Sequence, residues 1–372
     1  MKNIIVLGST GSIGRQTLDI VRQFPDKLNV VGLSAGNNVD LLKEQINEFS
    51  ASYYCSIEPD NCPGHAAQYC TLEQMASIEY VDLVMVATTG SVGLQPTLTA
   101  LKSKKQVALS NKEPIVMAGN IIKEYEAMYG GVILPVDSEP SAIWQCIRGE
   151  IGQVKKLIIT ASGGPFRNTP TNLLNSVTPE EALKHPTWNM GKKITIDSST
   201  MMNKAFEVIE SKWLFDIDWD NIEVMIHPQS TVHSMVEFID GSVKAQLGPP
   251  NMSLPIQYAL FYPDRIANVN IPRLPTNTSY SLEFEPLDVD RYPCYKIALA
   301  WARLGGTYPT VISAADEVAV EAFLNKRIKY TRIPEIINTV ISQHSNIDNP
   351  TLDDILDSET WATTTARTLV GN

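Results

Sequence analysis

The strongest constraint on the fold is a regular alternation of short apolar runs with amphipathic segments over the first 136 residues. The apolar runs predict strands over 4–7, 28–33, 53–57, 81–87, 106–109 and 131–135. Helical periodicity falls between them, over 16–24, 38–49, 95–103 and 121–128. Because several of the runs are apolar throughout, they suit strands that helices cover on both faces. This order predicts a doubly wound α/β domain around a parallel sheet.

The pattern changes from about residue 154. Strands are predicted over 157–160, 224–237 and 242–247, in a mostly antiparallel sheet, with a helix over 201–213. The turn dipeptide Asp240–Gly241 indicates a hairpin between the last two strands. Prolines then mark a linker, and helical periodicity returns over 293–303, 314–326, 333–343 and 352–369. We therefore expect a doubly wound domain over 1–145, an α+β domain over 146–270, a linker over 271–287 and a helical bundle over 288–372.

The composition excludes several classes of protein. With 30 Lys and Arg against 41 Asp and Glu, the chain of 372 residues has a net charge of −11. It has no long basic run, so we expect neither nucleic acid nor an anionic membrane surface as a partner. No apolar stretch reaches the ~18 residues of a membrane span, and the apolar N-terminus is typical of a strand rather than of a secretory signal.

The five cysteines indicate a reducing, cytoplasmic location. Their number is odd and no CxxC pair occurs, which argues against a disulfide framework. Cys55, Cys62 and Cys70 lie near His65, but the six and seven residues between the cysteines fit no common zinc pattern. We therefore expect no zinc site there.

The first predicted strand ends in a glycine-rich turn, Gly8-Ser9-Thr10-Gly11-Ser12-Ile13-Gly14. Such a turn lets the backbone approach a pyrophosphate at a helix N-terminus. The alternative is a tight turn that binds nothing, but the position directly after the first strand favours a nucleotide. The second strand ends without the acidic residue typical of NAD enzymes, which leaves room for a 2′-phosphate and favours NADPH.

Two carboxylates follow the sixth predicted strand, at Asp137 and Glu139. If the chain stays extended there, both side chains point the same way, and their repulsion favours a cation between them. Oxygen ligands suit Mg²⁺ or Mn²⁺ rather than zinc. The alternative is the polar first turn of a helix, and these residues alone favour neither interpretation.

A polar segment over 197–207 predicts a pocket for a phosphate monoester. A helix that begins near residue 200 places Asn203, Lys204 and Glu207 on one face, with Ser198 just upstream. The amide and the ammonium suit a phosphate, and Glu207 is placed to give a cation a third oxygen. The alternative is a surface ion pair between Lys204 and Glu207.

Three further segments are candidates for the site. Residues 161–166 end a strand with small residues, among which Ser162 offers a hydroxyl. Residues 185–191 place Trp188 in a polar segment typical of a lid, and residues 111–113 follow the fifth strand, where doubly wound folds bind ligands. The alternatives are a strand-ending turn, packing of the tryptophan in the core, and a helix cap.

Taken together and in order, these segments closely resemble the 1-deoxy-D-xylulose 5-phosphate reductoisomerase family. The resemblance covers nearly the whole chain, through GSTGSIG (8–14), AGNN (35–38), NKE (111–113), PVDSE (135–139), ASGGPF (161–166), HPTWNMG (185–191), DSSTMMNKAFE (197–207), IHPQSTVHSMVE (226–237) and RYPC (291–294). The pair PVDSE and DSSTMMNK is far more specific than any glycine-rich turn. The chain departs from the family at Pro140, where relatives carry His, and at Asn37, where relatives often carry a basic residue.

The resemblance implies an NADP-dependent oxidoreductase of the non-mevalonate isoprenoid pathway that is a homodimer and needs Mg²⁺ or Mn²⁺. It implies metal ligands at Asp137, Glu139 and Glu207. It implies catalytic and substrate contacts at Lys112, Ser138, Glu139, Ser162, His185, Trp188, Ser198, Asn203, Lys204 and Glu207. It implies NADPH contacts at Thr10, Gly11, Ser12, Ile13, Gly36, Asn37, Asn38, Asn111, Glu113 and Gly191, a lid over 185–191, and a shared dimer sheet built around 226–237.

The implied reaction rearranges 1-deoxy-D-xylulose 5-phosphate and reduces the product to 2-C-methyl-D-erythritol 4-phosphate, by a retro-aldol/aldol or an α-ketol route. Two other functions remain open on the residues alone. One is a metal-independent sugar or semialdehyde dehydrogenase of the same two-domain plan, and the other is a non-catalytic nucleotide sensor. A sensor would have no use for three carboxylates beside a Lys/Asn/Ser pocket.

Overall fold

The structure is a computed structural model that describes residues 1–57, 67–275 and 277–371. Cys62 and His65, considered above as zinc ligands, lie outside these residues. The chain packs as two compact units: unit 1 is Met1–Pro114, Asn120–Ser141 and Asn251–Pro272, and unit 2 is Ile115–Gly119, Ala142–Pro250 and Arg273–Asn372. The predicted four-part division stays a prediction, and 251–272 packs with the N-terminal unit.

Strands and helices have the following bounds. The strands are β1 Lys2–Leu7, β2 Leu28–Ala35, β3 Tyr53–Ser56, β4 Gln68–Tyr69, β5 Leu83–Val86, β6 Gln106–Leu109, β7 Val132–Pro135, β8 Val154–Ala161, β9 Ile222–Ile226, β10 Val232–Phe238, β11 Val243–Leu247 and β12 Glu285–Pro286. The helices are α1 Ser12–Gln23, α2 Val39–Phe49, α3 Leu72–Ala76, α4 Leu94–Lys102, α5 Glu113–Tyr129, α6 Ser138–Ile147, α7 Pro179–Ala182, α8 Lys192–Thr200, α9 Met202–Phe215, α10 Ser253–Phe261, α11 Pro293–Ala302, α12 Tyr308–Leu324, α13 Arg332–Ser342 and α14 Leu352–Val370.

Unit 1 is built on the predicted parallel sheet. Within the described residues its strands lie in the order β4–β3–β2–β1–β5–β6–β7, and every neighbouring pair is parallel. Ile4, Leu33 and Met85 are completely buried in the central strands, as apolar strands covered on both faces require. The carboxyl ends of these strands therefore form one edge, where the loops predicted to bind ligands begin.

Unit 2 combines a sheet with helices. Its strands lie in the order β11–β10–β8–β9–β12; β8 and β9 are parallel, and the other pairs are antiparallel. Phe206 of α9 and Phe323 of α12 are buried in one core, to which the predicted C-terminal bundle, helices α11–α14, contributes. The α/β fold with a parallel N-terminal sheet and a helical C-terminus is confirmed.

The prediction of one strand over 224–237 was wrong. The chain instead forms β9 and β10, separated by residues 227–231. Pro228 has no N–H to give a ladder, and Ser230 adopts the left-handed conformation with φ of 51°. The hairpin between β10 and β11 forms as predicted at Asp240–Gly241.

Candidate functional site

The glycine-rich turn of unit 1 is too tightly packed to accept side chains at two of its glycines. Gly8 has φ of +82°, and a Cβ there would lie 2.4 Å from the Ala87 carbonyl oxygen. A Cβ on Gly14 would lie 2.2 Å from the carbonyl oxygen of Gly8. Gly11 is the N-cap of α1 and has no capping side chain, which leaves backbone N–H groups at this helix start for an anion. The turn therefore fits the pyrophosphate of a dinucleotide.

A buried amide supports this turn, and the sequence analysis did not single it out. Ser34 Oγ accepts a hydrogen bond from Gly8 N at 2.9 Å. Gln45 of α2 accepts one from Ser9 Oγ at 2.7 Å and donates one to the Ser9 carbonyl oxygen at 3.1 Å. The signal was present, because Gln45 shares its helix face with the buried residues Leu42 and Ile46, where an apolar residue is expected.

The end of β2 is open, as the prediction for a bulky phosphate requires. Gly36 and Asn37 are exposed, and a Cβ on Gly36 would meet nothing within 4 Å. The side chain of Asn38 caps α2, because its Oδ1 accepts a hydrogen bond from Leu41 N at 3.2 Å. The segment thus offers space and neutral polar groups beside the turn.

The predicted residues after β6 form a polar group at the start of α5. Asn111 Nδ2 donates a hydrogen bond to Glu113 Oε2 at 2.5 Å, and Asn111 Oδ1 accepts one from Thr88 at 3.1 Å. Lys112, which lies between them, is buried, and its ammonium is 2.6 Å from Asp137 Oδ2. Unit 1 therefore brings the 111–113 segment to the acidic residues that follow β7.

The carboxylates Asp137 and Glu139 do not lie on an extended strand; of the two interpretations left open by the sequence, the polar first turn of a helix is the one that forms. Strand β7 ends at Pro135 and α6 begins at Ser138, so Glu139 lies in a first helical turn. Ser138 ties the pair together, since its N donates to Asp137 Oδ1 at 3.1 Å and its Oγ donates to Glu139 Oε2 at 2.5 Å. One oxygen of each carboxylate nevertheless lies within 4.8 Å of one on the other, a spacing that suits a shared hard cation.

In unit 2, His185 joins two of the predicted serines. Its Nε2 lies 3.1 Å from both Ser162 Oγ and Ser198 Oγ. Its Nδ1 accepts hydrogen bonds from the backbone N–H groups of Trp188 and Thr187, at 2.9 and 3.2 Å. Since Nδ1 accepts, the proton of the neutral ring is on Nε2, and the ring can donate a hydrogen bond to a serine.

The ring of His185 is held neutral. Burial, together with the positive charge of Lys204, lowers its pKa from 6.5 to about 4. Near neutral pH the imidazole is therefore uncharged and acts as a hydrogen-bond donor. It does not form an ion pair with a phosphate. That pairing falls to Lys204.

Asn203, Lys204 and Glu207 lie on one face of α9, as predicted, but the ion pair is buried rather than on the surface. Met201, with φ of 60°, separates α8 from α9, so α9 begins at Met202. The Lys204 ammonium lies 2.7 Å from Glu207 Oε2 and donates to the Thr160 carbonyl oxygen at 2.7 Å, while Asn203 donates to Glu207 Oε1 at 2.6 Å. Because Lys204 and Glu207 are both buried, their ion pair is more typical of a functional site than of a solvated surface.

The segment 185–191 forms neither helix nor strand, and it contacts the loop between β9 and β10. Thr187 Oγ1 lies 3.2 Å from Ser230 Oγ, and the Trp188 ring lies 5.9 Å from the His233 ring. Trp188 is only partly buried, which argues against the interpretation that it packs in the core. The contact at Ser230 was missed because that residue fell inside a predicted strand.

Family models match most of the chain. Residues 4–119 match the model described as 1-deoxy-D-xylulose 5-phosphate reductoisomerase, residues 133–215 match the C-terminal domain of that enzyme, and residues 247–365 match the DXP reductoisomerase C-terminal domain. A 1-deoxy-D-xylulose 5-phosphate reductoisomerase of Pelotomaculum thermopropionicum is 47% identical over 97% of both chains. The chain belongs to the 1-deoxy-D-xylulose 5-phosphate reductoisomerase family. The predicted resemblance is therefore confirmed.

Other members of the reductoisomerase family agree in length and fold. The enzyme of that name from Thermoanaerobacter pseudethanolicus is 49% identical over 96% of both chains. A crystal structure of DOX-P reductoisomerase with NADPH, fosmidomycin and magnesium has a TM-score of 0.92 at 37% identity and covers 100% of this chain and 98% of that one. The Zymomonas mobilis reductoisomerase with NADPH has a TM-score of 0.92 at 36% identity, covering 100% of this chain and 99% of that one.

Two exclusions can be made for the described part of the chain. We find no helix there whose length and hydropathy suit the crossing of a bilayer. The cysteines in that part, Cys55, Cys70, Cys146 and Cys294, are all free thiols.

Proposed function

We propose that this chain converts 1-deoxy-D-xylulose 5-phosphate to 2-C-methyl-D-erythritol 4-phosphate, with NADPH as reductant and Mg²⁺ or Mn²⁺ as the metal. It is an NADP-dependent oxidoreductase of the reductoisomerase family. The observation that carries the proposal is the partly buried group in unit 2, in which Ser162, His185 and Ser198 meet and the charge of Lys204 acts on the histidine. One cation among neutral donors is the chemistry that a phosphate monoester requires.

We assign the phosphate of the substrate to this group. Lys204 supplies the charge, while Asn203 and the two serines supply donors that turn toward phosphate oxygens. The neutral His185 donates from Nε2. Because phosphate binding is remote from the reacting carbons, its free energy is available for closing residues 185–191 over the substrate and for excluding water.

We assign the metal to Asp137, Glu139 and Glu207, the residues that the sequence resemblance implied. The donor set fits, since it consists of carboxylate oxygens only, and Asp137 and Glu139 are already close in unit 1. A bound cation acts as a Lewis acid on the ketone and the neighbouring hydroxyl of the substrate. Lys112 and Ser138 orient Asp137 and Glu139 and contact the substrate near its reacting carbons.

We assign NADPH to the turn of unit 1 and to its neighbours. The backbone at Thr10–Ile13 receives the pyrophosphate, and the open end of β2 at 36–38 receives the phosphorylated ribose. Asn111, Glu113 and Gly191 complete the contacts. NADPH supplies the hydride that reduces the rearranged aldehyde.

The test is the loss of NADPH absorbance when deoxyxylulose phosphate is added, with Mn²⁺ and with EDTA. Oxidation that needs both the ketose phosphate and the metal is expected. EDTA-insensitive turnover of a simple polyol would favour the other dehydrogenase, and NADPH binding without any turnover would favour the sensor.

We also propose a cytoplasmic homodimer. The free cysteines suit a reducing compartment. Strand β11 is one edge of the unit 2 sheet and exposes Val243 and Leu247, which suits pairing with a second copy. Sedimentation equilibrium should give about twice the chain mass, and Val243→Lys should shift the protein toward the monomer.

A further inference from the structure

A buried charged cluster in unit 2 takes no part in the site described so far. Lys193, in the first turn of α8, places its ammonium 2.5 Å from Asp197 Oδ2 and 2.9 Å from Asp316 Oδ2. Asp197 lies one turn further along α8, and Asp316 lies in α12 of the C-terminal bundle. The same ammonium is 5.0 Å from the centre of the Phe206 ring in α9. One side chain therefore contacts three helices.

The two carboxylates of this cluster are buried and depend on Lys193 for a positive charge. Asp197 and Asp316 are 3% and 0% exposed, whereas the Lys193 side chain is 30% exposed. Two carboxylates buried side by side repel each other, and a buried charge is costly unless it is paired. Lys193 is paired with both carboxylates. Its removal would leave Asp197 of α8 and Asp316 of α12 to repel each other.

The other end of α8 is held by independent contacts. Tyr330 donates a hydrogen bond to the Ser199 carbonyl oxygen at 2.8 Å. Gly164 packs so closely that a Cβ there would lie 2.6 Å from the Ser198 carbonyl oxygen. Lys193 thus holds the end of α8 that directly follows residues 185–191, while these contacts hold the end that carries Ser198.

We propose that Lys193 is a positioning residue that anchors the lid, residues 185–191, through Asp197 and Asp316 to the C-terminal bundle. With this anchor, the lid, which carries His185, keeps its position relative to Ser198 and so the geometry that receives the phosphate of the substrate. The identity of that substrate rests on the proposed function, whereas the anchoring of the lid does not.

The test compares Lys193→Met with Lys192→Met, a matched change at the exposed neighbouring residue. In Lys193→Met, the KM for deoxyxylulose phosphate should rise about tenfold while the Kd for NADPH stays within about twofold. Amide hydrogen exchange over 185–191 should accelerate in the free protein. Lys192→Met should match the wild type in all three measurements.

Asp316→Asn is a second variant, and it preserves the shape of the side chain. Its effect on hydrogen exchange over 185–191 should have opposite signs in the wild-type and Lys193→Met backgrounds. In the wild-type background it should accelerate exchange over 185–191, because the bond between α8 and α12 loses its charge. In the Lys193→Met background it should slow exchange and lower KM, because the repulsion between Asp197 and Asp316 disappears. A role limited to filling space gives no such reversal.

Unchanged exchange over 185–191 in the folded variants, or equal effects of Lys193→Met and Lys192→Met, would overturn the proposal. If Lys193→Met does not fold, Asp316→Asn and the double variant decide the question by the same exchange measurement. A wild type that does not turn over deoxyxylulose phosphate refutes the proposed function, and the exchange measurement without substrate still tests the anchor.

Discussion

Glu207 is the side chain on which the proposed chemistry depends most. It is completely buried in α9, and both of its oxygens are engaged, by Lys204 and by Asn203. These partners fix the carboxylate in one orientation, which is what a metal ligand needs. The same partners belong to the proposed phosphate group, so metal and phosphate binding meet at one helical turn.

Glu207→Gln should abolish turnover, with a loss on the order of a thousandfold, because a neutral amide is a poor ligand for a hard cation. The Kd for NADPH should stay nearly unchanged. Steady-state kinetics at low Mn²⁺ and NADPH titration measure the two effects. Glu210→Gln, a buried carboxylate of the same helix, is the matched control. Activity like that of the wild type in Glu207→Gln at low Mn²⁺ would refute the metal assignment.

His185 should make the fold sensitive to acid. Its pKa is about 4 in the folded chain and 6.5 in the unfolded chain, so the unfolded chain binds the proton first as the pH falls. The stabilisation is complete above about pH 6.5 and is lost as the pH falls toward about 4. Between about pH 7 and pH 5, His185→Gln should lose about 1 kcal/mol less unfolding free energy than the wild type, after allowance for solvent screening.

Urea denaturation of both proteins at the two pH values measures this difference. An equal loss in wild type and variant would mean that the ring is protonated in the folded protein. Between about pH 7 and pH 8 the two should respond alike, because the ring is neutral in both states.

Individual residues differ in how far the sequence could reveal them. Ser162, Ser198 and Lys204 stand in motifs whose order along the chain identifies the family. Lys193 and Asp316 stand 123 positions apart and in no motif, and only folding brings their charges together. Their pairing is a long-range contact that neither periodicity nor spacing records.

Elements were predictable where the hydrophobic pattern was strong. The six apolar runs of unit 1 became strands, because a doubly covered strand must be apolar throughout. The break within 224–237 was missed, since His227–Thr231 interrupts two strands whose residues continue the same apolar pattern. The local structure at Asp137 was left open between an extended strand and a first helical turn, because Asp, Ser and Glu suit both, and the structure shows the helix start at Ser138.

The turn from β1 to α1 should not tolerate a methyl group at Gly14. Gly14→Ala places a Cβ against the backbone of Gly8 and Ser9, at 2.2–2.5 Å, so the turn must shift. We expect a loss of about 2–3 kcal/mol of unfolding free energy and weaker NADPH binding. Chemical denaturation and NADPH titration test this, with Gly152→Ala, where a Cβ meets nothing within 4 Å, as the control. Equal stability of the two variants would contradict the packing.

The lid should bind substrate without supporting the fold. Trp188→Ala should raise the KM for deoxyxylulose phosphate about tenfold and lower Tm only slightly, because the ring contacts His233 rather than the core. Trp213→Ala is the contrasting control, since that ring packs against Gly119 and the core of unit 2. Kinetics and thermal unfolding separate the two roles. A large fall of Tm in Trp188→Ala would show instead that the ring stabilises the core.

For the whole molecule, the sequence predicted the fold class but not how distant segments join. The stretch 251–272 follows most of the second sheet in the chain, yet it packs in unit 1. There α10 contacts α1, β6 and β7, and Lys2 donates to the Leu260 carbonyl oxygen at 2.8 Å. An amphipathic pattern shows which face of a helix is buried, but not which sheet buries it. The boundaries of compact units therefore needed the structure.

The proposed chemistry requires Asp137, Glu139 and Glu207 to bind one divalent cation. The most direct measurement is an anomalous difference map from crystals grown with Mn²⁺ and NADPH. A single strong peak bonded to Asp137, Glu139 and Glu207 is expected in the wild type, and no peak in Glu207→Gln. A wild-type map without that peak, or with these side chains turned to solvent, would contradict the proposed chemistry even if the fold were as described.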